Sequence, residues 1–309
     1  MAIPTWIAWS TGKDAAWVLE KLLDDSSVEL RGLFTTIDGA SRRVPFQGTG
    51  RDLLEIQASS TGLPLEIVEL PPEADDQTYR REVGALLDRA RAAGIEQIAF
   101  GDLYLADLRQ WREDFVREHG MRCVFPLWGL DTAELARAMV DAGLEAHVTC
   151  IDPGKLDEQW LGRPFDTEFL DALPAGIDAC GENGEFHTFV SAGPMLHDRI
   201  EVAFADPVDE RGFRVAEPVL GFPLDGTLDL HGVSPKEVGD LVDDWIEASR
   251  AAGLTRLRIV HGKGIGALRE TVHARLRRRA DVAGFRLGGE GGGGWGATLV
   301  DLTDPGRDL

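Results

Sequence analysis

The sequence predicts an α/β protein in which a doubly wound parallel sheet is followed by a small second α/β domain. Three observations lead there. Through the longer N-terminal part, short apolar runs alternate with amphipathic stretches, the pattern of strands and crossover helices. A stretch punctuated by Pro and Gly, Pro218 to Asp225, then interrupts the pattern before a new β/α alternation begins. At 309 residues the chain has room for two cores, and 43% hydrophobic with 28% charged residues is an ordinary globular composition. The expected domains are 1–222 and 223–309.

In chain order, Ile7 to Trp9, Leu30 to Thr36, Leu65 to Leu70, Gln97 to Phe100, Cys123 to Phe125 and Ala146 to Ile151 read as strands of the sheet. Between the first two, Ala15, Val18, Leu19, Leu22 and Leu23 fall at helical spacing and cover one face. Further helices are expected around Leu53 to Thr61, Tyr79 to Ala93, Leu105 to His119 and Thr132 to Ala142. Folds of this kind bind ligands beyond the carboxyl ends of their strands. In the tail, a strand at Thr227 to Leu230 precedes a helix with several start and stop signals. Ser234 is its expected N-cap, Pro235 its first helical residue, Glu237 completes a capping box, and Gly253 lies just past its end. A strand at Leu257 to Val260, a helix from Ala267 to Arg279 and a strand at Thr298 to Leu302 complete the unit, with a glycine-rich loop or close-approach surface from Gly288 to Gly296.

Net charge is −21 and unevenly placed. Asp225 onward holds 12 Lys+Arg and 13 Asp+Glu of the chain's 32 and 53, leaving a net −20 on the residues before it. The larger domain would therefore repel a phosphate backbone, and any nucleic acid belongs to the tail. Cys123, Cys150 and Cys180 are far apart and form no CxxC pair, so buried free thiols are expected rather than disulfides or zinc. The sequence has no apolar run long enough to span a membrane and no signal-peptide pattern, and a cytoplasmic protein is the simplest expectation.

The first chemical site is Ser10-Thr11-Gly12-Lys13-Asp14-Ala15, between the first strand and helix. A turn there aims backbone N–H groups and the positive end of the helix dipole at an anion, with Gly12 permitting close approach and Lys13 adding charge. The Walker A spacing is absent, and a plain turn with a solvated Lys13 is the alternative. The hexapeptide resembles the Ser-Gly-Gly-x-Asp-Ser loop of the ATP-pyrophosphatase, or PP-loop, superfamily. Phe100-Gly101-Asp102-Leu103-Tyr104-Leu105-Ala106-Asp107-Leu108-Arg109 and Asp178-Ala179-Cys180-Gly181-Glu182-Asn183-Gly184-Glu185-Phe186-His187-Thr188-Phe189 resemble two further blocks of the diphthine-ammonia ligase family, in its bacterial form. The resemblance spans Trp6 to Pro218.

It implies a HUP-like fold and an adenylating mechanism using ATP and Mg2+: an acceptor oxygen attacks the α-phosphate, pyrophosphate leaves, and ammonia or another nucleophile displaces AMP. Ser10, Thr11, Gly12, Lys13 and Asp14 would form the pyrophosphate site, and Thr35, with Thr36, would border the adenosine. Gly101 faces the same crevice, Asp102 and Asp107 would position magnesium or substrate, and Arg109 and Arg112 would reach phosphate, although a solvated helix face accounts equally well for Arg112. Glu182, Glu185 and His187 bring acid, base and hydrogen-bonding capacity to a loop that Gly181 and Gly184 make adaptable. A metal cluster there fits no common zinc spacing, and a nucleophilic Cys180 has no support in the sequence. Two departures stand out: Thr11 replaces a Gly of the PP-loop, and Ala15 replaces its final Ser.

In the tail, Asp229 and His231 lie two apart and so on one face of a strand end, with Leu228 and Leu230 opposite. His261-Gly262-Lys263-Gly264-Ile265-Gly266 precedes a helix, an anion-binding arrangement with a cation added, and Arg269, Arg275, Arg277, Arg278 and Arg279 continue the basic character. Singly, such groups are more often structural. Together, the Asp-Leu-His-Gly and His-Gly-Lys-Gly motifs resemble the Smr (small MutS-related) domain over Gly226 to Leu302. That implies DNA or RNA binding, with Asp229 and His231 as cleavage candidates and His231, His261, Gly262, Lys263, Gly264 and Arg269 as the nucleic-acid contacts. Three readings follow: an amide-forming, ATP-dependent ligase with an unidentified acceptor and ammonia; a nucleic-acid processing enzyme with Smr nuclease activity; and a nucleotide-sensing protein with a degenerate loop.

Overall fold

A computed structural model of the chain describes residues 2–221, 226–231, 233–234, 236–262, 267–288 and 296–303. Contacts divide it into Met1–Gly221 and Phe222–Leu309.

The first unit opens with β1 (Ile3–Ala8), α1 (Lys13–Leu23), β2 (Val28–Asp38), α2 (Arg51–Ser60), β3 (Leu65–Leu70), α3 (Asp76–Ala92), β4 (Gln97–Ala99), α4 (Ala106–Glu118) and β5 (Arg122–Val124). The five strands form one sheet in the order β3-β2-β1-β4-β5, and every pairing is parallel. Apolar side chains cover both faces, as a sheet with helical crossovers requires. Ala15, Ala16, Val18, Leu19 and Leu22 of α1 pack in one core with Leu53, Leu54 and Ala58 of α2. Val83, Leu86, Leu87 and Ala90 of α3 pack in a second core with Phe115 and Val116 of α4. The order turns outward from β1, so β1 and β4 flank the switch point where α1 begins.

The sixth expected strand does not join this sheet. After α5 (Thr132–Asp141), β6 (Glu145–Ile151) pairs antiparallel with β7 (Phe186–Ala192) in a separate sheet of order β7-β6-β10-β9. Alternation along β6 marks it as a strand but carries no information about its partner, which lies far along the chain. Between them come a short 3-10 turn at Glu158–Trp160 and α6 (Thr167–Ala172), and after them β8 (Val202–Phe204), β9 (Val208–Glu210), β10 (Phe213–Val215) and β11 (Pro218–Leu220). The segment expected as one adaptable loop, Cys180 to Thr188, is thus loop up to Glu185 and strand from Phe186 onward.

The second unit contains β12 (Thr227–Asp229), α7 (Val238–Ala251), β13 (Arg256–Val260), α8 (Ala267–Leu276), β14 (Val282–Leu287) and β15 (Ala297–Leu302), with sheet order β12-β13-β15-β14. Trp245 and Ile246 of α7 are fully buried against Val272, Ile259 and Val300. The α7 start differs from expectation. The regular helix begins at Val238, preceded by a turn in which the Ser234 carbonyl accepts from the N–H groups of Glu237 and Val238 (2.9 and 3.3 Å), and Glu237 makes no side-chain cap. Pro235, Gly232 and the span 289–295 lie outside the described residues. Gly253, at φ +80°, does follow the helix end. Among the described residues, no helix is long and apolar enough to cross a membrane.

Candidate functional site

Where β1 ends and α1 begins, a crevice of about 450 Å3 opens over the carboxyl ends of β1, β2 and β4. Ser10, Asp14, Thr35, Gly101, Asp102 and Glu182 all line it. Helix α1 presents its N-terminus there. The first helical bond runs from the Ala16 N–H to the Gly12 carbonyl, so the amides before it precede the ladder. One of them, Lys13 N–H, donates to the Thr188 hydroxyl at 3.1 Å, while Asp14 and Ala15 border the crevice. Gly101 must lack a side chain, since a Cβ would stand 3.1–3.3 Å from the Asp14 backbone carbon, the Asp14 Cβ and the Ala15 nitrogen.

The turn itself is anchored below the crevice. Thr11 is fully buried at φ +71°, a left-handed conformation that a β-branched residue rarely adopts, and its hydroxyl lies 2.9 Å from that of Thr49. The Gly of related loops is thus replaced at a position whose backbone suits Gly. Gln57 Nε2 donates to the carbonyls of Thr11 (3.0 Å) and Val190 (2.7 Å), tying the turn to β7. Gly12 is confined too, since a Cβ there would be 3.2 Å from the Thr188 carbonyl oxygen.

Lys13 does not line the crevice. Its side chain is 2% exposed, and the ammonium donates to Asp14 Oδ2 at 2.9 Å and, more closely, to the Cys180 carbonyl, lying between the Phe165 and Phe186 rings. Burial opposes its charge, but Asp14 and the Cys180 and Glu182 side chains outweigh that and hold the amine above its ordinary pKa. The expected cation of the turn is therefore spent on fixing Asp14 and the Asp178–Thr188 segment. The carbonyl that draws this lysine inward comes from a segment distant in sequence, so no local pattern announces it.

Among the described residues, two buried carboxylate oxygens have no hydrogen-bond donor, Oδ1 of Asp14 and Oδ2 of Asp102, both in residues that line the crevice. Asp102 is 7% exposed, and Arg112 Nε donates to its Oδ1 at 3.1 Å; the same nitrogen lies 2.9 Å from Oδ2 without hydrogen-bond geometry. Glu182 accepts from the Leu103 N–H at 2.8 Å, while burial, then Asp14 and Asp102, hold its carboxyl above the usual range.

Other expected residues fall elsewhere. Arg109 pairs with Glu113 at 2.8 Å, and its guanidinium sits 4.9 and 4.6 Å from the Phe125 and Trp128 ring centres, so it does not line the crevice; Arg112, one turn on, does. Asp107 is exposed in the first turn of α4. Glu185 is 2% exposed and accepts from Asn183 N–H (2.9 Å), Asn183 Nδ2 (3.1 Å) and Asp178 N–H (3.3 Å), organising the loop beneath the site. His187 packs against the Phe46 ring at 5.3 Å, and burial, aided by Lys13, pushes its pKa down to about 4. Cys180 is a buried free thiol pushed up to about 12 by burial, which removes it as a nucleophile. The sequence reading missed Tyr79 and the 44–47 segment as crevice walls, because neither belongs to a motif.

In the second unit, His231 Nδ1 lies 2.5 Å from Asp229 Oδ1, both side chains are exposed, and Leu228 and Leu230 are buried behind them. Gly262 lies close by, since a Cβ there would be 3.2 Å from His231 Nε2. His261 is buried, with Nε2 2.9 Å from the Thr298 hydroxyl. Lys263 and Gly264 lie outside the described residues. Arg269 pairs with Glu270 at 3.3 Å. The basic run is less available than its sequence suggests: Arg275 is bonded to Asp240 and Asp243, and Arg279 to Asp243 and Asp281.

Comparison with known proteins identifies three matched regions. Residues 4–123 match the diphthamide synthase N-terminal domain, 131–214 the diphthamide synthase C-terminal domain and 228–303 the Smr domain. Curated relatives include endonuclease MutS2 of Brevibacillus brevis, 43% identical over 75 residues, or 24% of this chain and 10% of that protein. The MutS2 endonuclease of Symbiobacterium thermophilum is 43% identical over 77 residues, again 10% of its length. The chain thus spans about a tenth of these relatives. Among solved structures, the Smr domain of Thermus thermophilus MutS2 is 43% identical, covering 25% of this chain and 96% of that one (TM-score 0.24). YdaL, a stand-alone small MutS-related protein from Escherichia coli, is 28% identical over 27% and 68% (TM-score 0.26). Over residues 4–214 the chain belongs to the diphthamide synthase family of ATP-using PP-loop proteins, and over residues 228–303 it carries an Smr domain.

Proposed function

We propose that the N-terminal region, 1–222, is a C–N ligase that adenylates an acceptor and releases pyrophosphate, with the Smr region, 223–309, contributing nucleic-acid binding. The observation that carries the reading is the meeting of the α1 N-terminus with two donorless carboxylate oxygens, on Asp14 and Asp102, in one crevice. Backbone amides attract the phosphates that leave. Hard carboxylate oxygens without hydrogen-bond donors suit Mg2+, which takes one or two carboxylates together with substrate phosphates, so Asp14 and Asp102 are the residues that would hold it. When bound, the ion neutralises charge on the departing pyrophosphate.

The chain's own groups then have distinct tasks. Ser10 and the Asp14 and Ala15 amides bind phosphate, Thr35 borders the adenosine, and Gly101 keeps the helix mouth clear. Lys13, Thr11, Gly12 and Glu185 position these groups from below. Glu182 faces the crevice as an acid or base, and ammonia or another amine displaces AMP from the adenylated acceptor.

The test is a product assay across candidate acceptors. The wild type is expected to catalyse acceptor-dependent exchange of pyrophosphate into ATP and to release AMP, and Asp102→Asn to lower the exchange rate by about 100-fold. ADP as the sole nucleotide product from a clean preparation removes the ligase. In the alternative of a nucleotide sensor, which rests on Ala15 in place of Ser, wild-type turnover stays near zero and Ala15→Ser raises it.

A further inference from the structure

A second cavity, of about 170 Å3, adjoins the crevice and shares Val44, Pro45, Phe46 and Leu70 with it as a common wall. Its floor is apolar, built from Ile37, Cys150, Phe213 and Val215. Its rim carries Asp38, Arg43, Glu73, Glu210 and Arg211. Both guanidinium groups are already matched: Arg43 pairs closely with Glu217, and Arg211 lies 3.6 Å from Asp38. Among the described residues Glu73 and Glu210 enter no ion pair, and Glu210 acts electrostatically on the floor residue Cys150. Any ligand entering the cavity meets two unmatched carboxylates and two occupied arginines, an arrangement that repels an anion and attracts a cation.

The wall also carries backbone strain. Five non-glycine residues among those described have positive φ, and three of them, Phe46 (+65°), Glu73 (+54°) and Arg211 (+51°), line this cavity; a fourth, Arg42 (+56°), is next to the lining residue Arg43. Such conformations persist where surrounding structure over-determines them, and they gather at ligand sites. Phe46, 50% exposed, stands between the two cavities with its ring 5.3 Å from His187 and 5.7 Å from Phe213. An exposed aromatic face close to carboxylates favours an ammonium group.

We propose that this cavity is a binding site for a small organic amine with an apolar or aromatic body, its ammonium group drawn to Glu73 and Glu210 and its body seated on Phe46 and Phe213. As the reactant subsite next to the nucleotide it rests on the ligase reading, and it makes the second reactant an amphipathic amine, whose ammonium gives a proton to one of these carboxylates before its nitrogen attacks the adenylate and AMP leaves.

The experiment uses the full chain and three probes of one shape and different charge: 2-phenylethylamine, 2-phenylethanol and 3-phenylpropionate, titrated by calorimetry and ligand-observed NMR. The amine should bind at least about tenfold more tightly than the carboxylate, with the alcohol between them. Glu210→Gln and the more exposed Glu73→Gln should each erase most of the amine's advantage over the alcohol. Equal or tighter binding of the carboxylate overturns the proposal, as does binding of none of the probes at millimolar concentration, or an amine preference that survives both substitutions. Pyrophosphate exchange is measured separately, so loss of the ligase reading with the amine preference intact leaves a binding site without that role.

Discussion

At the scale of single residues, Thr11 shows how a departure from a family pattern is accommodated. Its φ of +71° favours Gly, but its hydroxyl meets Thr49 inside a fully buried turn. Thr11→Gly relieves the backbone and loses the hydrogen bond, so urea unfolding should shift by less than about 1 kcal/mol. Thr11→Val keeps the strain and strands the Thr49 hydroxyl, and should destabilise by about 1–3 kcal/mol; equal effects from both would refute this account. His187 makes a separate prediction. Its pKa near 4 when folded, against 6.5 ordinarily, means the unfolded chain binds more protons between those values. The stability it contributes is complete above pH 6.5 and lost as pH falls through that window, by up to about 3 kcal/mol. Thermal melts of His187→Gln should lack that loss, and a constant difference from wild type between pH 4 and 6.5 would argue against it.

At the scale of elements, the parallel sheet was legible because its crossover helices carry their own period of apolar residues, as α1 does with Val18, Leu19 and Leu22, and mark off the apolar runs between them. The antiparallel sheet was not. The strands β8, β9, β10 and β11 have three residues each, as β4 and β5 do, but no helix separates them to mark where one ends, and the partner of β6 is fixed by tertiary contact. The site divides in the same way. Ser10, Asp14, Gly101 and Asp102 sit in motifs at strand ends and were readable, whereas the inward turn of Lys13 depends on a carbonyl at Cys180 that no local pattern announces. In the second unit, α7 is held by Trp245, which is fully exposed to no solvent and packs at the centre of that core. Trp245→Ala should lower that unit's stability by about 3–5 kcal/mol in calorimetry; a cost under about 1 kcal/mol would mean α7 is anchored otherwise.

At the scale of the whole molecule, charge separates the two halves: nearly all of the net −21 lies before Asp225. Nucleic acid is therefore expected to engage the second unit alone, and weakly, since Arg275 and Arg279 are committed to Asp240, Asp243 and Asp281. Labelled RNA and DNA should show salt-sensitive binding, and if cutting occurs, His231→Ala should abolish it. Cutting that persists unchanged in that variant excludes the Asp229–His231 pair. The Gln57 amide that joins the carbonyls of Thr11 and Val190 has a mechanical corollary. Because one side chain clamps the bend at Thr11 to a strand of the neighbouring antiparallel layer, a load applied at either is felt at the other, and occupancy of the mouth of α1 should register as slower amide exchange along β7.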